Sequence, residues 1–155
     1  MSAKCPTTVK RFQFYACLGA CLLAGLLTGC GSGEPFSYVK VNGKVSYDDG
    51  TPIPAKRIQL IFITQTVQPV DAKTSPPQGK ADVTSADGKF DVVTSHTYDD
   101  GLLAGKHKVM VIPKDETGRP VEGLVPKEYR ELGTTPIEID TANLPLEIKV
   151  KKPGK

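Results

Sequence analysis

Apolar and polar residues alternate between Val39 and Tyr47. The apolar positions are Val39, Val41, Val45 and Tyr47, and the polar positions between them are Lys40, Asn42, Lys44 and Ser46. Because successive side chains of a β-strand point to opposite faces, this pattern predicts a strand with one buried and one solvated face. Gly43 interrupts the pattern, and we interpret it as a β-bulge.

A second apolar run, from Ile58 to Ile63, follows the segment Asp48-Asp49-Gly50-Thr51-Pro52. Gly50 tolerates positive φ and the fixed φ of Pro52 suits a turn, so the chain is expected to reverse there. The run is apolar at nearly every position, which is typical of a strand covered on both faces. We therefore predict that the two runs form the first β-hairpin of a sandwich.

The same signals recur further along the chain. Residues 80–94 alternate on either side of Asp87-Gly88, with Ala81 and Val83 before the turn and Phe90 and Val92 after it. Asp-Gly between alternating runs predicts a second hairpin. Residues 64–79 contain three prolines and are expected to form a long loop with at most one short strand.

The remainder predicts further short strands. Residues 98–105 are expected to form a turn before a strand over residues 106–112 that Pro113 ends, and Pro126 to Arg130 is compatible with a single helical turn in a polar, turn-rich segment. The last strands are predicted from the period-two residues Ile137, Ile139, Leu144, Leu146, Ile148 and Val150. About seven strands without an amphipathic helix predict an all-β fold, an antiparallel β-sandwich.

The cysteines all precede this predicted domain, at Cys5, Cys17, Cys21 and Cys30. A disulfide framework or a cysteine-based zinc site is therefore excluded within the domain. Three of the 20 basic residues and none of the 17 acidic residues lie before Cys30, so the remainder is balanced in charge. The predicted domain has no cluster of Lys and Arg that would form a basic surface for nucleic acid. We therefore exclude nucleic acid as a partner.

Residues 1–29 have the layout of a secretory signal peptide. The basic residues Lys4, Lys10 and Arg11 precede an apolar stretch of 16 residues from Phe12 to Leu27. A transmembrane helix needs ~20 apolar residues, so a cleaved signal is favoured over a retained span.

The end of this leader, Leu27-Thr28-Gly29-Cys30, resembles a bacterial lipobox, whose cysteine is lipidated and becomes the new N-terminus. An ordinary signal-peptidase site is the weaker interpretation, because no A-x-A-like site follows. Each buried CH₂ contributes ~0.8 kcal/mol, so two or three acyl chains on Cys30 would hold the protein firmly in a membrane. Residues 31–35 form a flexible spacer. Gly31, where an Asp would favour the inner membrane, indicates the outer membrane.

Three segments of the predicted domain resemble the carboxypeptidase regulatory-like family. These are V-N-G-K-V-S-Y-D-D-G-T-P-I-P-A, A-D-V-T-S-A-D-G-K-F-D-V and L-L-A-G-K-H-K-V-M-V. The resemblance covers roughly Val39 to Ile112. The later P-K-E-Y and closing strand are similar to small secreted lipoproteins of planctomycete-type bacteria. The resemblance implies a transthyretin-like β-sandwich that is non-catalytic and serves packing or binding. His107 stands where the family has Tyr, and the loop over residues 64–79 is longer than in the family.

Candidate catalytic chemistry is sparse. His96 and His107 are the only histidines, and a general base would need one of them beside a nucleophile or a carboxylate. Transthyretin-like hydrolases carry a C-terminal Tyr-Arg-Gly-Ser signature, whereas here Tyr129-Arg130 is followed by Glu131. We predict neither a catalytic site nor a cofactor.

Two binding chemistries remain open. Calcium would need convergence of the aspartates at predicted turns, which are Asp48, Asp49, Asp87, Asp99 and Asp100. Asp and Gly are also common in turns because they suit the backbone conformation there. A structural role is therefore favoured for these aspartates over calcium binding. Carbohydrate would need aromatic rings to stack on, for which the candidates are Tyr38, Tyr98 and Tyr129 in a chain without tryptophan.

The sequence thus predicts four segments: a signal peptide over residues 1–29, the lipidated Cys30 with its spacer over 30–37, a β-sandwich over 38–151 and a basic, frayed tail over 152–155. The expected function is a lipid-anchored cell-envelope protein that faces the periplasm or exterior and displays a non-catalytic structural or protein-binding module. An edge strand could pair with a partner's strand. The alternative is a carbohydrate- or metal-binding envelope protein, and a small hydrolase ranks last.

Overall fold

The structure is a computed structural model that describes residues 36–66 and 75–154. Within these residues, short β-strands make up nearly all the regular structure. The strands are β1 (Tyr38–Val39), β2 (Gly43–Tyr47), β3 (Arg57–Thr64), β4 (Gly79–Val83), β5 (Lys89–Phe90), β6 (Leu102–Leu103), β7 (Lys106–Lys114), β8 (Glu138–Asp140) and β9 (Leu146–Val150). A 3₁₀ helix covers Lys127–Arg130. The described residues belong to one compact unit, and they confirm the predicted all-β fold.

The strands form a four-stranded sheet in the order β4-β3-β7-β8, a three-stranded sheet in the order β5-β2-β9, and the small pair β1-β6. All pairs are antiparallel except β2 and β9, which run parallel with Gly43 opposite Leu146 and Tyr47 opposite Val150. The prediction of purely antiparallel pairing is therefore wrong at β9. Alternation of apolar residues indicates which face of a strand is buried, but it carries no information about strand direction.

The first predicted hairpin is also wrong, because β2 and β3 belong to different sheets. The turn itself is present: the Tyr47 N–H donates to the Thr51 carbonyl oxygen at 2.9 Å, and Gly50 has a φ of 83°. After this turn the chain crosses to the other sheet. Both edges of β2 are already occupied, by β5 on one side and β9 on the other, so β3 has no place beside it.

The second predicted hairpin shows the same difference. Asp87-Gly88 forms a turn, in which the Gly88 N–H donates to the Ser85 carbonyl oxygen at 3.1 Å, but β4 and β5 lie in different sheets. The turn packs directly on β2, where the Val45 N–H donates to the Gly88 carbonyl oxygen at 2.9 Å. A Cβ atom on Gly88 would collide with the Val45 carbonyl oxygen. The Asp-Gly signal therefore marks a turn between sheets.

Gly43 is not a bulge, contrary to the prediction. It lies in regular register between Phe90 of β5 and Leu146 of β9. An added Cβ atom would lie 2.8 Å from the Leu146 Cβ and 2.8 Å from the Phe90 Cζ, which is too close for a side chain. The break in strand structure falls instead between β1 and β2.

The core is built from alternate residues of both larger sheets. The predicted apolar residues Val41, Val45 and Tyr47 are buried. The rings of Phe62 from β3 and Phe90 from β5 meet with centroids 6.2 Å apart and planes tilted by 48°. Burying one such side chain contributes about 1.5 to 3 kcal/mol, so the sheets stabilise one another through this shared cluster.

Several predicted boundaries shift. Strand β7 continues through Pro113 to Lys114, because it still pairs with β3 there, with Ile58 opposite Pro113 and Arg57 opposite Lys114. Strand β6 lies inside the predicted turn over residues 98–105. Leu144 lies before β9 and is exposed. The predicted helical turn is confirmed as the 3₁₀ helix after Pro126.

The first residue of the predicted tail over residues 152–155 contacts the turn after β2. Lys152 forms an ion pair with the Asp49 carboxylate, and its Nζ lies 5.4 Å from the centroid of the Tyr47 ring. The predicted signal peptide, Cys30 and most of the spacer lie outside the described residues, as does part of the predicted loop, residues 67–74. Among the residues that the structure does describe, no helix is long and apolar enough to cross a membrane.

Candidate functional site

The aspartates at the turns are engaged in local hydrogen bonds. The Asp49 carboxylate accepts from Thr51 N–H at 2.9 Å and pairs with Lys152, and these interactions hold its pKa below the usual value. The hydrogen bond and charge of Lys89 lower the pKa of Asp87 to about 2. Within residues 36–66 and 75–154, no three His, Cys, Asp or Glu side chains are grouped so that they could hold a metal ion. The structure therefore places these carboxylates where they shape turns.

The two histidines lie in different environments. His107 of β7 is 2% exposed, and its Nδ1 lies 3.1 Å from the Gly105 carbonyl oxygen. Burial lowers the pKa of His107, although Gly105 and Asp140 act in the opposite direction. His96 lies on the surface in a turn, where its backbone N–H donates to Asp100 Oδ2 at 2.8 Å. The His107 ring nitrogen is thus paired with a backbone carbonyl oxygen and lies in the core.

The three candidate stacking residues differ in exposure. Tyr129 is buried in the core and Tyr38 is half-buried, whereas the Tyr98 side chain is 82% exposed. Of the three rings, only that of Tyr98 is open enough to be covered by a ligand. Tyr98 is therefore the residue around which a candidate binding site can be built.

Tyr98 lies on a tight loop over residues 94–101, which we call the Tyr98 loop. The Asp100 carboxylate closes this loop by accepting backbone N–H groups from Ser95 at 2.7 Å and from His96 and Thr97 at 2.8 Å. Burial alone would raise the pKa of Asp100, but these hydrogen bonds outweigh it and lower the pKa. Three N–H groups on one carboxylate hold the backbone in a single conformation.

Further contacts fasten both ends of the Tyr98 loop to the domain. The Ser95 hydroxyl donates to the Gly101 carbonyl oxygen at 2.7 Å, and the Gly101 N–H donates to the Val93 carbonyl oxygen at 2.9 Å. Asp99 has a φ of 55° and pairs with Lys40 at 2.5 Å. The loop is thus fixed before any ligand arrives, which reduces the entropy cost of binding.

An open groove of about 400 Å³ lies between the Tyr98 loop and the edge strand β4. We call it the Tyr98 groove. One side is lined by the β4 residues Lys80, Ala81 and Asp82, and the other side by Val92, Thr94 and Tyr98. Its volume falls at the lower end of the range of small-molecule sites, roughly 300 to 1,000 Å³.

Two exposed apolar side chains line the Tyr98 groove. Of the four large apolar side chains exposed in the described part of the chain, Val92 (36% exposed) and Tyr98 line this one groove. The other two, Leu132 and Leu144, do not line it. Apolar side chains gathered in one concave surface indicate a binding site more than scattered ones do.

The groove also offers polar side chains that are not engaged elsewhere. Among the described residues, the side chains of Gln78, Lys80 and Asp82 form no hydrogen bond or ion pair with another residue, and all three are exposed. The hydroxyl of Ser95 is already used within the loop. An ammonium, a carboxylate and an amide are therefore available to a ligand beside an exposed aromatic ring.

The sequence prediction included Tyr98 but not the groove. Val92 was expected on the buried face with Phe90, yet Val93 is fully buried and Val92 is exposed, because the alternation shifts by one residue after β5. Lys80 and Asp82 had no distinguishing signal, since polar residues on the outer face of a strand are common. Only the three-dimensional path of residues 92–98 brings these side chains together.

Comparisons with known proteins give no relative. No protein-family model, no curated protein and no solved structure matches this chain.

Proposed function

We propose that this chain is a cell-envelope lipoprotein, lipidated at Cys30, that displays a transthyretin-like β-sandwich as a non-catalytic binding module. The proposed anchor is supported by the order of a basic start, a short apolar stretch and Leu27-Thr28-Gly29-Cys30. The acyl chains would hold the domain on a membrane surface facing the periplasm or exterior, with the outer membrane favoured by Gly31.

The sandwich is supported by the way the two larger sheets share a core. Alternate residues of β2 and β9 and of β3 and β7 are buried in one cluster, and the Phe62 and Phe90 rings join the sheets. A cluster that draws on one face of each sheet is typical of sheets packed face to face. The transthyretin-like topology is proposed from the sequence resemblance.

The preformed Tyr98 groove is the observation that supports a binding role. The other polar groups that could have carried chemistry are engaged, since the turn aspartates accept backbone N–H groups or pair with lysines and His107 lies in the core. A rigid loop with an exposed ring suits recognition of a ligand.

Addition of a partner strand at β4 is restricted by the fold. Strand β4 is at the edge of its sheet, where Lys80 and Asp82 direct their backbone groups outward. The Lys80 N–H donates to the Thr94 carbonyl oxygen at 2.8 Å, and the Lys80 carbonyl oxygen accepts from the Thr94 N–H at 2.9 Å. Within β4 only Asp82 remains for a partner strand, so a protein partner would bind here mainly through side chains.

The anchor is tested with a Cys30→Ala variant and with globomycin, which inhibits the lipoprotein signal peptidase. We expect the wild-type protein to enter the detergent phase of a Triton X-114 partition, and globomycin to cause accumulation of a heavier precursor. Cys17→Ala, which removes another leader cysteine, serves as the control and should behave like wild type. A wild-type protein in the aqueous phase would contradict the anchor.

The binding role is tested by photo-crosslinking in intact cells with a benzophenone amino acid at position 98. A product that forms from position 98 and not from the exposed control position Leu132 supports a binding role for the groove. Equal products from both positions would contradict it.

A further inference from the structure

We propose that the Tyr98 groove binds a neutral carbohydrate chain. This inference rests on the proposed function insofar as the domain must be displayed in the envelope to meet such a ligand. It is carried by the chemistry of the groove, in which an exposed aromatic ring stands beside unengaged polar side chains on a rigid backbone.

The ring supplies the apolar half of sugar recognition. One face of a pyranose ring presents C–H groups, which stack on the electron-rich face of a tyrosine side chain. Tyr98 is 82% exposed and stands on a loop fixed by Asp100, so its ring can be covered by a ligand without rearrangement of the backbone. Val92, which is also exposed, extends the apolar surface.

The polar side chains of the groove supply the hydrogen bonds that recognition of a sugar also requires. A sugar hydroxyl both donates and accepts, so it is best met by a carboxylate together with cationic or amide donors. Asp82 provides acceptors, Lys80 provides donors and Gln78 provides both, and all three line the groove. Lys80 and Asp82 are two residues apart on β4, which places their Cα atoms about 7 Å apart along one face of the strand.

The charge of the groove favours a neutral ligand. Lys80 and Asp82 carry opposite charges, while Gln78, Thr94 and Ser95 have no ionisable side chain. The nearby Asp99 and Lys40 are also paired with one another. An anionic or cationic polymer would gain attraction from one partner and repulsion from the other, whereas hydroxyl groups are served by both.

Two alternatives fit less well. An extended peptide that adds to the edge of β4 would need several outward backbone groups, and within this strand only those of Asp82 remain. A lipid surface would suit the exposed Tyr98 ring, but the unengaged Asp82 carboxylate beside it would be costly to bring against an apolar or anionic membrane.

The experiment uses the full-length lipoprotein in a sugar-free zwitterionic detergent and isothermal titration calorimetry. The probes are cellotetraose, xylotetraose, maltotetraose and chitotetraose at millimolar concentrations. We expect saturable binding of at least one, an affinity weakened about tenfold or more in Tyr98→Ala, and near-wild-type affinity in Tyr98→Phe, which keeps the ring. Asp82→Asn should also weaken binding, while Leu132→Ala and Leu144→Ala, which remove exposed apolar side chains elsewhere, should not.

Because Tyr98 is exposed, the variants should keep the wild-type circular-dichroism spectrum and melting temperature, so loss of folding can be separated from loss of binding. No saturable binding to any of the four probes, or binding unchanged by Tyr98→Ala, would overturn the carbohydrate assignment. Vesicle binding by the Cys30→Ala protein that depends on Tyr98, without sugar binding, would also overturn it and make this ring an interfacial anchor. Sugar binding by a protein that is not lipidated at Cys30 would support the carbohydrate site and contradict only the anchor.

Discussion

Lys80 and Thr94 exchange both of their backbone hydrogen bonds, at 2.8 Å from the Lys80 N–H and 2.9 Å from the Thr94 N–H. This one pair joins the edge strand β4 to the start of the Tyr98 loop, outside any regular strand pairing. It therefore sets the distance between the two sides of the Tyr98 groove, and it occupies the edge where another chain could otherwise add a strand.

Removal of the Asp100 side chain should release the Tyr98 loop. In Asp100→Ala the N–H groups of Ser95, His96 and Thr97 lose their acceptor, and we expect a loss of about 1 to 3 kcal/mol in the free energy of unfolding. Amide hydrogen exchange at these three residues should become much faster. The measurement is urea denaturation together with exchange followed by NMR.

The matched control for Asp100→Ala is Asp115→Ala, in which a similar carboxylate cap is removed from a turn outside the groove. Asp115 accepts from Thr117 N–H at 2.8 Å and from Arg119 N–H at 2.9 Å. Its loss should destabilise its own turn and leave exchange at residues 95–97 unchanged. Unchanged exchange there in Asp100→Ala as well would contradict the role given to this carboxylate.

Gly43→Ala should destabilise the three-stranded sheet. The new methyl group would lie 2.8 Å from the Leu146 Cβ and from the Phe90 Cζ, so β5 or β9 would have to move. Overpacking of this kind costs about 1 to 3 kcal/mol. Gly133→Ala is the control, because nothing lies within 4 Å of a Cβ atom there, and it should change the melting temperature little. Equal melting temperatures for both variants would argue against the register of β2 between β5 and β9.

Stability should fall in mildly acidic solution because of His107. Its pKa is lowered by burial from the ordinary value of 6.5, so the unfolded chain binds the proton more readily than the folded chain does. The neutral imidazole makes its full contribution to the free energy of unfolding above pH 6.5. This contribution is lost as the pH falls from 6.5 through the pKa of His107 in the folded state. Denaturation midpoints between pH 8 and pH 5 measure it, and His107→Gln should lose this part of the pH dependence.

The control for His107→Gln is Leu132→Gln. Leu132 is exposed and has no ionisable side chain, so its replacement should leave the slope of stability against pH as in wild type. If the wild-type slope survives in His107→Gln, the buried imidazole is not its source.

Phe62 and Phe90 should be energetically coupled if the two larger sheets pack on one another. Each single change to Leu removes the ring contact with centroids 6.2 Å apart, and the double change should cost less than the sum of the two. We expect a coupling of about 0.5 to 1.5 kcal/mol from a double-mutant cycle. Strict additivity would mean that the contact between the sheets is not formed in solution.

Local patterns predict most of the longer strands and the turns, but not which strands pair with one another. The alternation at Val41, Val45 and Tyr47 and the turn glycines Gly50 and Gly88 predicted burial and reversal correctly, because both depend on residues near in sequence. Which strands pair depends on contacts between distant residues. The parallel pairing of β2 with β9 joins residues about a hundred positions apart, and no signal near Gly43 indicates it.

The candidate site was predictable only in part for the same reason. Tyr98 was recognised as an aromatic residue in a polar turn, and Asp100 as a turn carboxylate. Their cooperation with Lys80 and Asp82 depends on the Lys80–Thr94 bridge, which no local motif specifies. Val92 was assigned to the wrong face, because the strand that sets the alternation, β5, is only two residues long.

The mass of the N-terminal peptide of the native protein is the most direct test of the envelope role. We expect a peptide that begins at Cys30 and carries a diacylglyceryl group on the thiol, with or without a third acyl chain on the new amino terminus. A mature N-terminus at any other residue, or an unmodified Cys30, would contradict the anchor on which the proposed location depends.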